Sequence, residues 1–273
     1  MKKVVDINYL QEPELNNYLR QSKDNFIILS DFACMEIYKT NAIKNLYSKF
    51  EIVSRYPKQV IVLKATRDAA SISLSSTKLP DDLIDPVQTK NFTDFCSVIR
   101  SSGKKRLSPF LEAQLLLKQS IAFEEINKLI DYDKLIIEGI IERSKSYNPT
   151  LLKSLKNRVL LSATDSETII DDIFTISKEI FIMHPDIRSV PEYKQLSNSY
   201  IFRYTVSAYL LALKWLIEGG LQNVSLDRFR NDMVDMSYVT YSTYFDGLLS
   251  FDKKANTLYE ETTSFLKHFA DNT

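Results

Sequence analysis

The pattern of apolar and polar positions changes character twice along the chain. In the first third, short apolar runs alternate with amphipathic stretches. Lys3-Val4-Val5-Asp6-Ile7 predicts a strand ending in a carboxylate, Glu12 to Gln21 an outer helix, and Asn25 to Ser30 a second strand. Phe26-Ile27-Ile28-Leu29 is apolar without alternation, as in a parallel strand covered on both faces. Phe32 to Phe50 reads as a helix with Asp31 as its N-cap, and Gln59 to Leu63 as a β-branched third strand. The order β-α-β-α-β predicts a parallel, right-handed, doubly wound sheet.

From about residue 80 to 200 the strand pattern is lost. Leu79 to Pro86 reads as a Pro- and Asp-rich loop, followed by helical periods at Pro109 to Ile130, Tyr132 to Lys145 and Thr150 to Leu161. Thr164-Asp165-Ser166-Glu167 has the form of a capping box opening a helix at Thr168 to Ile182. That box is also the simplest account of the acidic group Asp165, Glu167, Asp171 and Asp172. The α/β pattern then returns. Residues 200 to 219 predict a long helix around Trp215 closed by Gly219-Gly220, Leu226 to Tyr244 another, Phe245 to Ser250 a strand, and Ala255 to Phe269 a last helix. The expected organisation is a single composite domain, with an α/β core from 1–75 and 200–273 and a helical insertion at 76–199.

Composition narrows the chemistry. The 273 residues suffice to bury a real core, and 44% hydrophobic with 26% charged is ordinary globular usage. Lys plus Arg equals Asp plus Glu at 35 each, so a grip on nucleic acid or on an anionic membrane must come from local patches. The five glycines fit neither a Rossmann fingerprint nor a P-loop. Cys34 and Cys96 form no CxxC and read as buried reduced thiols, while His184 and His268 are too few for a multi-histidine metal site. MKKVVDINYL loses its apolar run at Asp6, unlike a signal peptide, and Lys214 and Glu218 interrupt the longest apolar stretch, Ser207 to Leu221. No membrane partner and a cytoplasmic location are expected. What remains for chemistry is carboxylate.

In an open parallel sheet, ligands bind beyond the carboxyl ends of the strands. Asp6 lies at the end of the first strand, Glu36 early in the helix leaving the second, and Asp252 just past the last. Asp232 and Asp235, three apart, share one face of the helix that feeds the last strand. Alone, Asp6 is a strand-end loop residue, Glu36 a solvated helix residue and Asp232 a partner for a helix dipole. Their joint placement is more specific. Acids gathered at one edge repel and protonate unless a divalent cation neutralises them. Oxygen-only ligation suits Mg²⁺ or Mn²⁺, which can activate water for phosphodiester hydrolysis.

Three segments carry a resemblance to the PIN-domain nuclease superfamily. They are Val4-Val5-Asp6-Ile7-Asn8, Ser30-Asp31-Phe32-Ala33-Cys34-Met35-Glu36, and the block from Asn231-Asp232-Met233-Val234-Asp235 to Ser250-Phe251-Asp252-Lys253. The resemblance covers roughly residues 1–70 and 200–273. It implies a three-layer α/β/α sandwich with a central parallel sheet, whose acids hold Mg²⁺ or Mn²⁺ and cut single-stranded RNA, less often structured RNA or DNA. By that resemblance Asp6, Glu36, Asp235 and Asp252 are the four catalytic acids, with Asp232 a competitor or accessory ligand. The inserted helices depart from the compact pattern.

The expected function is therefore a metal-dependent endoribonuclease of a toxin or phage-defence kind. RNA is the favoured partner and DNA a second, with an inhibitor or regulatory protein and a homo-oligomer as further partners. The basic loop Ser101-Ser102-Gly103-Lys104-Lys105-Arg106 is the candidate phosphate grip, with Lys153, Lys156 and Arg158 as a second basic region. Two other readings stay open: a catalytically silent binding module of the same fold, and a Mg²⁺-dependent phosphohydrolase of small substrates.

Overall fold

Four strands form one all-parallel sheet in the order β3-β2-β1-β4, where β1 is Lys2–Val5, β2 Phe26–Leu29, β3 Val60–Val62 and β4 Leu248–Leu249. The structure, a computed structural model, describes residues 1–39, 48–72, 80–102, 109–157, 162–187 and 189–271. Val4, Val5, Ile27, Ile28 and Leu29 are wholly buried, which is why β2 reads as an unbroken apolar run. In register, Val4 stands between Ile28 of β2 and Leu248 of β4. Strand β4 is shorter than the expected Phe245 to Ser250. A turn precedes it, and Gly247 adopts φ +130°, a backbone region that side chains disfavour.

The helices are α1 (Pro13–Gln21), α2 (Asp31–Lys39), α3 (Thr66–Ala70), α4 (Pro86–Ser102), α5 (Pro109–Ser144), α6 (Pro149–Asn157), α7 (Ala163–Met183), α8 (Tyr200–Ile217), α9 (Leu226–Ser242) and α10 (Lys253–Asp271). Several differ from expectation for identifiable reasons. Residues 40–47 of the expected second helix lie outside the described residues. Asp31 is not the cap of α2 but its first residue. The Oγ of Ser30 accepts from the Ala33 N–H at 3.2 Å, while Asp31 accepts from the N–H and hydroxyl of Thr66 at 2.7 and 3.0 Å and so pins α2 to α3. Helix α4 was not expected at all. Asp85 accepts from the Gln88 N–H at 2.8 Å at its start, and Phe92, Phe95 and Cys96 turn toward the sheet core, with both rings packed against Phe50. Helix α4 packs on β3, within the segment expected as the insertion.

The two expected helices around residue 131 are one, α5, because Asp131-Tyr132-Asp133 contains no breaker and Asp133 is buried beneath the hydroxyl of Tyr204. Helix α7 opens five residues before the expected Thr168. Ser162 accepts from the Asp165 N–H at 3.1 Å, so the supposed capping box already lies within the first turns. Helix α8 ends where Gly219-Gly220 predicts. The Gly220 N–H reaches the carbonyl of Trp215 at 2.8 Å and the Gly219 N–H that of Leu216 at 3.2 Å, with both glycines at positive φ.

Two apolar cores result. One lies about the sheet and includes α4; the other joins α5, α6 and α7 to α8, α9 and α10. Helix α9 is shared between them. Val234, Tyr238 and Tyr241 enter the sheet core, while Phe229, Met233, Met236 and Val239 enter the helical core. Among the described residues no helix is long and apolar enough to cross a membrane.

Candidate functional site

Pairing of β1 with β4 sets the first two acids side by side. Asp6 follows β1 and is buried. Its Oδ1 accepts from the Asn8 N–H at 3.0 Å and its Oδ2 from the Ser250 hydroxyl at 2.8 Å. The same Ser250 oxygen accepts from the Asp252 N–H at 3.0 Å, so one serine couples the ends of two strands. Asp252 is exposed and caps α10, its Oδ1 accepting from the Lys254 and Ala255 N–H groups at 2.6 and 3.1 Å. Glu36 rides on α2, which leaves the carboxyl end of β2, and its Oε2 accepts from the Tyr238 hydroxyl at 2.6 Å. Helix α9 packs against β1 and α2 and brings Asp235 to the same place.

Asp235 is the unpartnered member. It is half-buried, and among the described residues it makes no hydrogen bond and no ion pair. Burial, then the charges of Asp6, Asp252, Glu36 and Asp232, push its carboxyl up to about 8. All four other candidate acids thus lie within Coulombic reach of Asp235, as their sequence positions suggested. Asp232 stands apart in kind. It is buried, accepts from the Trp215 indole N–H at 3.0 Å, and faces the Arg228 Nε at 3.5 Å and the Lys254 Nζ at 4.0 Å. Its expected part at a helix start is not seen. Helix α9 begins at Leu226 under Ser225, which accepts from the Arg228 N–H, so Asp232 sits well inside the helix and its charge is balanced by side chains.

The donor set suits a hard divalent cation in its chemistry: carboxylate oxygens, one of them unpaired and under repulsion from four neighbours. In distance the set is open. Among the described residues no three His, Cys, Asp or Glu side chains stand close enough together to hold a metal ion. Glu36 and Asp252 each spend an oxygen on a protein donor, and Asp6 spends both. The cap made by Asp252 uses Oδ1 alone.

Two residues that hold the acids carried no assigned role in the sequence. Tyr238 follows Asp235 by three positions on α9, a spacing that puts both on one face, and Ser250 lies inside the Ser-x-Asp block that drew attention to Asp252. Lys104, Lys105 and Arg106 lie outside the described residues, as does Arg158; Lys153 and Lys156 stand on α6. In the other acidic group, Asp172 accepts from the hydroxyls of Tyr147 and Tyr209 at 2.5 and 3.0 Å, a tie between α7 and α8. Burial pushes the Cys96 thiol up to about 11, so it is an inert core residue; the side chain of Cys34 lies outside the described set. No family model, curated protein or solved structure matches the chain.

Proposed function

We propose that the chain is a divalent-metal-dependent nuclease with a PIN-like three-layer architecture, acting on phosphodiester bonds and on single-stranded RNA first. The observation that carries this reading is Asp235: an unpaired carboxyl pushed up to about 8 by burial and by four surrounding acids, at the carboxyl edge of a parallel sheet. Such an arrangement costs stability and gains nothing structural, which is the signature of a site kept for chemistry.

In this reading Asp6, Glu36, Asp235 and Asp252 would hold Mg²⁺ or Mn²⁺. The bound cation would supply an activated water and charge neutralisation at the phosphate. Ser250 and Tyr238 act as positioning residues, fixing Asp6 and Glu36 by charge-assisted hydrogen bonds before any ligand arrives. Asp232, already compensated by Arg228 and Lys254, serves the site from its edge. The inserted helices and the Lys104-Lys105-Arg106 loop would select the polymer rather than take part in the chemistry.

A second reading, a catalytically silent binding module, draws on a specific observation: three of the acids already serve protein donors and no ligating trio exists among the described residues. One assay separates the readings. End-labelled single-stranded RNA and DNA of matched sequence are incubated with the purified protein in Mn²⁺, in Mg²⁺ or in EDTA. Cleavage that needs metal and is lost in Asp235→Asn supports the nuclease. Retention of nucleic acid without cleavage supports the silent module. Phosphate released only from small phosphomonoesters supports a phosphohydrolase.

A further inference from the structure

Away from the carboxylates, on the other face of α9, the sheet half and the helical half line a cavity of about 310 Å³ that is open on one side. Phe32 and Thr66 line it from the sheet side, Tyr132 and Asp133 from α5, and Tyr200 and Tyr204 from α8; Met183, Met233 and Met236 complete its apolar wall. The volume lies at the lower end of the roughly 300–1,000 Å³ typical of small-molecule sites.

One buried polar group on this wall is left incomplete. Asp133 is 6% exposed, and among the described residues the Tyr204 hydroxyl is its hydrogen-bond donor and no cation pairs with it. Burial lifts the Asp133 carboxyl to about 7 against the opposing pull of the Tyr204 hydrogen bond, so near neutrality a positive ligand would hold it ionised. The charges at the rim do not compete for it. Arg67 is bound to Asp186 at 2.8 Å, and burial keeps the imidazole of His184 below its ordinary range, hence neutral at pH 7.5.

A buried carboxylate in an apolar cavity lined by the aromatic side chains of Phe32, Tyr132, Tyr200 and Tyr204 is the chemistry that recognises an organic ammonium group. The carboxylate supplies the ion pair, the rings supply cation–π attraction, and the walls take up a hydrocarbon body. We propose that this cavity is a binding site for a small amphipathic amine, its ammonium group against Asp133 and its apolar body among Phe32, Tyr200 and Tyr204. The site is independent of the nuclease reading, since it shares no side chain with the acidic cluster.

Calorimetry at pH 7.5 tests it with benzylamine, 2-phenylethylamine and cyclohexylmethylamine, each measured beside its neutral alcohol. Every amine that binds should do so at least tenfold more tightly than its alcohol. Asp133→Asn should erase that preference, and Ala70→Phe, which places a ring in the cavity, should weaken amine and alcohol alike. Circular dichroism reports whether each variant folds. Should Asp133→Asn fail to fold, the comparison of amine with alcohol in the unaltered protein still decides. No amine preferred over its alcohol, a preference that survives Asp133→Asn, or binding untouched by Ala70→Phe overturns the proposal.

Discussion

Replacing Asp235 by Asn should make the metal-free protein more stable. In the unfolded chain this carboxyl ionises near its ordinary 3.8, whereas in the fold it is pushed up to about 8. A folded-state value above the unfolded one means that stability is fullest below pH 3.8 and is lost as pH rises toward 8. At pH 7 the unfolded chain has already gained its ionisation free energy and the folded one has not. At about 1.4 kcal/mol per pH unit, the interval from 3.8 to 7 sets a ceiling of about 4 kcal/mol. Solvent reaches the half-buried side chain and screens part of the repulsion, so a gain of about 2–3 kcal/mol is expected for the neutral isostere. In a chain of this size that raises the melting temperature by on the order of 5–10 °C. Urea unfolding of both proteins at pH 4 and pH 7, in EDTA, reads it directly. The two curves should converge at pH 4 and separate at pH 7. An Asn variant no more stable at pH 7, or one equally stabilised at both pH values, would refute the electrostatic account of this site.

Other outcomes follow from the same contacts. Asp232→Asn keeps an acceptor for Trp215 but takes the anion from Lys254 and leaves Arg228 with Glu218 alone, so it should cost about 1 kcal/mol of stability and far less cleavage than Asp235→Asn; denaturation and the RNA assay check both. Tyr238→Phe removes the hydroxyl that fixes Glu36, and the Mn²⁺ concentration for half-maximal cleavage should rise severalfold while cleavage at saturating Mn²⁺ changes little. An unchanged Mn²⁺ midpoint would leave Tyr238 as a core residue only. Neutralising Lys104, Lys105 and Arg106 together should weaken RNA binding and flatten its salt dependence, measured by anisotropy across a salt titration.

Much of the sheet was legible because Val4-Val5, Ile27-Ile28-Leu29 and Val60-Ile61-Val62 are buried, and strands covered on both faces read as unbroken apolar runs. The gathering of the acids could be read from topology alone, since each lies at the carboxyl end of a strand or on the helix beside it. What holds them could not. The phenol of Tyr238 and Glu36 are 202 positions apart, and the indole of Trp215 reaches Asp232 only because α8 and α9 pack together. The pattern for helix α4 was present, since Phe92, Phe95, Cys96 and Ile99 recur at i, i+3, i+4 and i+7, but the polar run Gln88-Thr89-Lys90-Asn91 before them hides where the helix begins. The buried Asp133 was hidden for a different reason. Between Tyr132 and Lys134 it looks like an exposed helix residue until Tyr204 is seen to cover it.

The hydrogen bond from Ser250 to Asp6 spans 244 positions, and β4 reaches β1 across almost the whole chain. During synthesis β1, β2 and β3 emerge well before β4, and one edge of β1 stays unpaired until β4 has been made. Contacts of such long sequence separation are slow to form. Asp6 and Glu36 are made long before Asp235, Ser250 and Asp252, so the acids can gather only once α9 and β4 exist. A nascent or truncated chain lacking those residues holds no such cluster, so whatever chemistry the acids perform is withheld until the chain has been made past Asp252.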